Sequence, residues 1–200
     1  MGKRIGIMGG TFDPVHIGHL VTAEEAVDQF RLDQVIFVPT GEPWMKEHRE
    51  VGVTAGEHRY LMTVIATAGN PRFTVSRQEI DRGGPTYTID TLTSFREELP
   101  NVDLFFITGA DAMLEIFHWK DPDNVLDLAH FIAATRPGYD LARFERETPT
   151  EHPKVTVMDI PALAISSSDI RERVMAGRPI RYLVPVGVQE YIQKEGLYRS

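Results

Sequence analysis

Apolar residues along the chain fall into short continuous runs separated by stretches with helical spacing. Lys3-Arg-Ile-Gly-Ile-Met-Gly9 reads as a strand that meets glycine, and a helical pattern follows from about Ile17 to Phe30. Val35-Ile-Phe-Val38 is a second strand, stopped by Pro39 and followed by a Gly/Pro loop through Lys46. Thr54-Ala-Gly-Glu57 has capping-box spacing ahead of Tyr60, Leu61, Val64 and Ile65, which predicts a helix to about Ala68. Phe73-Thr-Val75 predicts a third strand and Asp81-Arg-Gly-Gly-Pro85 a loop. Thr88 then caps a helix carrying Ile89, Leu92, Phe95 and Leu99. Leu104-Phe-Phe-Ile107, Phe131-Ile-Ala-Ala134 and Val155-Thr-Val157 supply three more strands, each preceded by helical material. Ser166 to Ala176 and Val186 to Glu195, each followed by glycine, predict two capped helices.

Strands that are apolar on both faces and alternate with helices need cover on both sides. The expectation is an α/β fold: a doubly wound, Rossmann-like parallel sheet with a small C-terminal helical extension, as one domain over residues 1–200. Pro137 to Pro153 is the most loop-like stretch and is too short to divide the chain.

Composition narrows the function. The 200 residues hold 42% hydrophobic and 25% charged residues, with a mean hydropathy of −0.21, ordinary for a soluble globular protein. There is no cysteine, which excludes disulfides, thiolate metal sites, iron–sulfur clusters and cysteine nucleophiles. Met1–Gly10 lacks a signal-peptide core, and no segment reaches the roughly 18 apolar residues of a spanning helix, so a cytoplasmic protein without membrane attachment is expected. Twenty-one Lys and Arg against twenty-nine Asp and Glu give a net charge of −8. The scattered cations disfavour nucleic acid but allow a small anion held in one cleft.

The loop after the first strand has the features of such a cleft. Gly9-Gly-Thr-Phe-Asp-Pro-Val-His16-Ile-Gly-His19-Leu20 lies between a strand and a helix, where doubly wound sheets bind ligands. Glycine admits a phosphate close to the backbone, Asp13-Pro14 makes a turn, and the helix N-terminus offers N–H donors at its positive end. His16 and His19, three apart, share one helix face. A histidine pair at that spacing is by itself ordinary surface decoration; its position in the strand–loop–helix unit is what raises it to a polyphosphate site. The loop has neither the Gly-Lys-Ser/Thr of a P-loop nor the glycine spacing of a dinucleotide fingerprint.

These residues resemble the H-x-G-H nucleotidyltransferase family, whose α/β fold binds ATP and moves AMP to a phosphate acceptor. A second segment, Ile165-Ser-Ser-Ser-Asp-Ile-Arg171, is similar to the family's I-S-S-T-x-I-R motif; alone it would be a plain serine N-cap with an exposed arginine. The likeness is greatest to the bacterial branch that adenylylates nicotinate mononucleotide. It extends through Val38-Pro-Thr-Gly41 to Lys46, Tyr87-Thr-Ile-Asp-Thr-Leu92, Ile107-Thr-Gly-Ala-Asp111 with Trp119, and Tyr182-Leu-Val-Pro185 to Tyr191-Ile192. Pro43-Trp-Met-Lys46 departs from the common Pro-Pro-His-Lys, keeping the lysine but not the histidine.

The resemblance implies a site. ATP would meet Gly9, Gly10, Thr11, Phe12, His16, His19, Gly109, Asp111, Ile165, Ser167, Ser168 and Arg171, with His16, His19, Lys46 and Arg171 doing the chemistry. His19 would face the α-phosphoryl oxygens and His16 the phosphate chain, while Lys46, Arg171, Ser167 and Ser168 balance the pyrophosphate. Nicotinate mononucleotide would meet Lys46, backbone N–H groups of Thr86 and Tyr87, the Asp111 carboxylate, Trp119 and Arg136. Mg²⁺ is expected on ATP phosphates and water, without a dedicated protein cage. The substrates are the expected partners, with a homo-oligomer left open. Two rivals share these motifs: an adenylyltransferase for another acceptor, nicotinamide mononucleotide or phosphopantetheine, and a nucleotide-binding protein that has lost turnover.

Overall fold

The computed structural model describes residues 2–42, 52–114, 121–135, 154–161 and 163–199. Six strands, β1 (Lys3–Gly10), β2 (Gln34–Pro39), β3 (Phe73–Val75), β4 (Val102–Gly109), β5 (His130–Thr135) and β6 (Val155–Asp159), form one parallel sheet in the order β3-β2-β1-β4-β5-β6. The chain winds outward from β1 in one direction and from β4 in the other. Its strand order therefore reverses between these two, and their C-terminal ends, at Gly10 and Gly109, flank the crevice where such sheets bind ligands.

Both faces of the sheet are apolar because successive side chains alternate. In β4, Leu104 and Phe106 join one buried cluster while Phe105 and Ile107 join the other; in β5, Phe131 and Ala133 are set against Ile132 and Ala134 in the same way. On one face lie α1 (Ile17–Gln29) and α2 (Gly56–Thr67). On the other are α4 (Thr88–Glu98) and α6 (Pro122–Leu128), contributing Leu92, Phe95, Val125 and Leu126. Short helices α3 (Gln78–Arg82) and α5 (Ala110–Leu114) follow β3 and β4. The two C-terminal helices, α7 (Ser167–Met175) and α8 (Val186–Glu195), place Ile170, Val188 and Ile192 in the α1–α2 cluster. The Leu183 carbonyl accepts from the Ile17 N–H at 3.0 Å, so the C-terminal segment returns to the start of α1. Among the described residues no helix is long and apolar enough to cross a membrane.

Three local expectations are corrected. Thr54 does not cap α2, whose N-cap is Ala55. The Thr54 carbonyl accepts from Arg59 Nε, its N–H donates to Asp13, and its hydroxyl bonds Tyr198, so tertiary partners take the groups a capping box would use. Thr88 is the first helical residue of α4 rather than its cap, which is Tyr87. Asp81 and Arg82 belong to α3 rather than to a loop. Arg77 bonds Asp81 one turn on, Glu79 is buried, and the helix stops only at Gly83, whose φ of 65° suits glycine.

Packing connects the core directly to the first loop. Phe37, fully buried in β2, lies 5.3 Å from the Phe73 ring and 5.7 Å from that of Phe12 in the loop. Phe37→Ala should lower the free energy of unfolding by about 3–5 kcal/mol. Urea denaturation followed by circular dichroism measures this, and a midpoint equal to wild type would show that the ring carries no such packing.

Candidate active site

The first loop is shaped by residues that must be small and one that must fold inward. Phe12 adopts a φ of 48° and buries its ring; a Cβ on Gly10 would lie 2.9 Å from that ring, so only glycine leaves it room. The Phe12 ring meets His19 edge-on at 5.0 Å. His16, the N-cap of α1, stacks on His19 with ring centroids 3.7 Å apart, and a Cβ on Gly18 would come within 3.1 Å of the His16 ring. Glycine between the two histidines thus lets the rings stack.

One hydrogen bond sets the tautomer of His19. Its Nδ1 accepts the His16 backbone N–H at 3.1 Å, so Nδ1 carries no proton and the ring presents Nε2–H as a donor. The first turn of α1 contains no acidic residue, leaving the positive end of the helix dipole uncompensated beside these rings.

The second motif arrives from the far end of the chain and fastens to this loop. Ser166 caps α7 by accepting the Asp169 N–H at 3.1 Å. Ser167 Oγ donates to the Pro14 carbonyl at 2.9 Å, and Arg171 donates through Nη1 to the Asp13 carbonyl at 2.6 Å and through Nη2 to Ser168 Oγ at 3.2 Å. Ile165 is buried just before them. The two motifs are therefore one structural unit at the mouth of the crevice. Gly109 and Asp111 stand at the end of β4 across from it, Asp111 exposed in the first turn of α5.

Beneath the loop lies a polar web that includes residues the sequence reading missed. Asp13, 2% exposed, accepts from Tyr198 OH at 2.7 Å and from the Thr54 N–H at 3.3 Å. Arg59, 1% exposed on α2, donates to three carbonyls: Thr54 through Nε at 2.7 Å, Thr11 through Nη1 at 2.8 Å and Gly41 through Nη2 at 2.8 Å. Burial pulls the Arg59 pKa down from the ordinary arginine value, against the attraction of Asp13 first and then of Tyr198 and Glu79. The Tyr198 phenol is pushed up by burial and by the neighbouring Asp13 carboxylate. The apolar spacing of α2 runs through Tyr60, Leu61, Val64 and Ile65, whereas its buried face holds Arg59, Met62, Thr63 and Thr67 and leaves Leu61 exposed, so neither Arg59 nor Tyr198 carries a local signal.

The exit of β2 faces the segment before α4. The Thr40 N–H donates to the Gly10 carbonyl at 2.9 Å, Glu42 pairs with Pro85, and the Thr86 N–H donates to the Glu42 carbonyl at 3.2 Å. Thr86 is buried and Tyr87 half-buried, so both belong to this wall. Lys46, Trp119 and Arg136 lie outside the described residues.

A glycine- and histidine-bearing loop lies at the switch point of an open parallel sheet, where such folds bind ligands, and is closed by a serine–arginine helix start. Residues 7–173 match the cytidylyltransferase-like family. A protein of Clavibacter michiganensis subsp. michiganensis (strain NCPPB 382), named "Probable nicotinate-nucleotide adenylyltransferase", is 60% identical over 197 residues, spanning 98% of this chain and 94% of that protein. One of the same name from Acidothermus cellulolyticus (strain ATCC 43068 / DSM 8971 / 11B) is 58% identical over 203 residues, with the same two shares, 98% and 94%. The chain belongs to the cytidylyltransferase-like family and, within it, to the nicotinate-nucleotide adenylyltransferases. Its fold is shared with the Plasmodium falciparum nicotinic acid mononucleotide adenylyltransferase complexed with NaAD, at a TM-score of 0.75 and 22% identity over 98% of this chain and 97% of that one.

Glu79 makes the wall sensitive to pH. Its side chain is 6% exposed, accepts from Thr91 Oγ1 at 2.6 Å and from the Gly41 N–H, and burial raises its pKa from 4.5 to about 7. Thr91, Arg82, the Gly41 amide and Arg59 all oppose that rise. A pKa raised on folding means that the folded chain binds the proton more tightly than the unfolded chain. The associated stability is complete below pH 4.5 and is lost as the pH rises to about 7, a change of about 3 kcal/mol. Glu79→Gln should therefore gain on wild type by up to that amount between pH 4.5 and 7.5. Unfolding free energies across this range test it; a constant difference would remove burial of the carboxyl as the cause.

Proposed function

We propose that the protein transfers AMP from ATP to nicotinate mononucleotide, forming nicotinate adenine dinucleotide and pyrophosphate. The observation that carries this reading is the fastening of Ser167 and Arg171 to the Pro14 and Asp13 carbonyls, which joins two phosphate-binding motifs into one site. The acceptor is taken from the names of relatives about 60% identical over nearly the whole chain.

Adenylyl transfer requires alignment and charge neutralisation. The acceptor's 5′-phosphate is itself the nucleophile, so no enzyme base or covalent intermediate is needed. It attacks the α-phosphorus of ATP in line as the bond to pyrophosphate breaks, and charge accumulates on the α-phosphoryl oxygens and the leaving group. We assign His19 Nε2–H to the α-phosphoryl oxygens and His16, Thr11 and the Gly10 amide to the phosphate chain. Gly9, Phe12, Gly109 and Ile165 shape the ATP site, and Asp111 binds a ribose hydroxyl. Arg171 and Lys46 balance the pyrophosphate. Ser168, whose oxygen accepts from Arg171, keeps its proton for a phosphate oxygen, whereas Ser167 gives its proton to Pro14 and so serves by holding the loop.

On the acceptor side Trp119 packs on the pyridine ring and Arg136 adds a cation. Because the Thr86 N–H is given to Glu42, the pyridine carboxylate is assigned to Tyr87 and the N-terminal end of α4. Among the described residues no group of three or more His, Asp or Glu could hold a metal ion. Imidazole, hydroxyl and guanidinium donors suit phosphate oxygens rather than a hard cation. Magnesium would then be held by the nucleotide's phosphates and water, where it supplies further charge neutralisation.

If His19 stabilises charge that develops only in the transition state, His19→Ala should lower kcat by about 10²–10³-fold and leave both KM values nearly unchanged. Steady-state kinetics on a folded variant decides; near-normal kcat would remove the role. The acceptor is tested by kcat/KM for nicotinate mononucleotide, nicotinamide mononucleotide and phosphopantetheine at saturating Mg²⁺-ATP. The acid should exceed the amide by up to about 10⁴-fold, because an amide presents NH₂ protons to donors that require an acceptor. Equal efficiencies would leave a general pyridine-nucleotide enzyme, and preference for phosphopantetheine would overturn the acceptor altogether.

A further inference from the structure

Arg59 is a buried cation that hydrogen-bonds backbone through each of its three nitrogens. An isolated buried charge is costly, and a well-packed apolar side chain of similar size often serves stability equally well or better. What an apolar residue cannot do is hold carbonyls from separate segments in one plane. Arg59 holds three. The Thr11 carbonyl belongs to the loop with His16 and His19, the Gly41 carbonyl to the exit of β2, and the Thr54 carbonyl anchors the guanidinium to the start of its own helix. The Gly41 segment in turn carries the opposite wall. Its N–H is held by Glu79, a Cβ at Gly41 would lie 2.3 Å from the Glu79 carbonyl oxygen, and its neighbour Glu42 receives the Thr86 N–H. Displacement of the guanidinium would change the separation between these two walls.

We propose that Arg59 is a positioning residue for adenylyl transfer: by joining the Thr11 and Gly41 carbonyls it sets the distance between the wall that holds the donor phosphates and the wall that holds the acceptor. The inference rests on the functional reading above, which places ATP on the first loop and the acceptor beside Thr86 and Tyr87. Each substrate meets its own wall whether or not the walls are in register, so binding of either alone survives the loss of Arg59. The reaction does not, because a misplacement of the attacking oxygen relative to the α-phosphorus by about 1 Å costs about 100-fold in rate.

The test uses the full chain carrying Arg59→Lys, which keeps a charge but lacks the planar three-way fork, beside Leu104→Ala, a core truncation at the far end of β4. Arg59→Lys should lower kcat by about 100-fold while both KM values stay within about threefold. Amide hydrogen exchange should show faster exchange at Thr40 and Thr86, whose bonds join the loops, and unchanged protection at Ile7 and Phe106. Leu104→Ala should show neither effect at equal folded fraction. Gly41→Ala, which forces the second wall away from Glu79 with Arg59 intact, should repeat the selective loss of kcat and carries the test if Arg59→Lys does not fold. Unchanged exchange at Thr40 and Thr86, or a kcat loss no greater than that of Leu104→Ala, would overturn the proposal. Absence of turnover by wild type would instead refute the function, while the exchange result would still judge Arg59.

Discussion

The residues from Thr11 to Pro14 turn away from the sheet at its switch point, and the carbonyls of Thr11, Asp13 and Pro14 meet side-chain donors instead of a strand partner. Buried backbone acceptors must be satisfied, and here the donors come from two remote helices, α2 and α7. Arg59 reaches Thr11, Arg171 reaches Asp13, and Ser167 reaches Pro14, while the Asp13 carboxylate takes Tyr198 and Thr54. A loop that supplies its own turn partners would need none of this. Because this one does not, α2, α7 and the C-terminal segment must all be in place before the histidines are, and the site is a property of the whole fold.

That dependence explains why the C-terminal helices are integral. Ile170, Val188 and Ile192 fill the same cluster as Phe12 and Phe37, and the Leu183 carbonyl receives the first N–H of α1. An element that brings Arg171 and Tyr198 to the first loop has to be packed as firmly as the loop itself, since a donor on a mobile helix would cost more ordering entropy than its bond returns.

The parts of this architecture that were legible in sequence are those written in a local pattern. β4 and β5 announce themselves by apolar runs too short for helices, and their alternation into two clusters follows from a period of two. The first loop was legible from glycine and histidine spacing, and the second motif from Ser166 and Arg171. What was not legible depends on contacts between distant segments. Thr54 satisfies every local requirement of a capping residue, yet its carbonyl, N–H and hydroxyl are all claimed by side chains far along the chain or buried below it. Tyr198 stands among ordinary surface residues near the C-terminus, and only the fold brings it to Asp13. Glu79 reads as one charge on a short polar stretch, and its hydrogen-bond partners Gly41 and Thr91 are brought to it by the fold.

A protein of net charge −8 that binds two phosphate-bearing molecules raises an electrostatic question, and the answer lies in the distance over which charge acts. At physiological ionic strength exposed carboxylates beyond about 8 Å are largely screened, so the surplus acts mainly on the rate of encounter. Within that distance the arrangement is selective. Asp13 is the carboxylate embedded in the loop itself, and its oxygens are turned toward Tyr198 and Thr54 under the field of Arg59, while its carbonyl orients Arg171. The first turn of α1 has no acidic residue, and His19 presents a proton because its other nitrogen is occupied by His16. A negative side chain is thereby used to aim positive groups at the crevice. The same loop could not work with asparagine at this position on equal terms, since an amide would present one acceptor where two donors converge and would leave the buried Arg59 without its principal counter-charge.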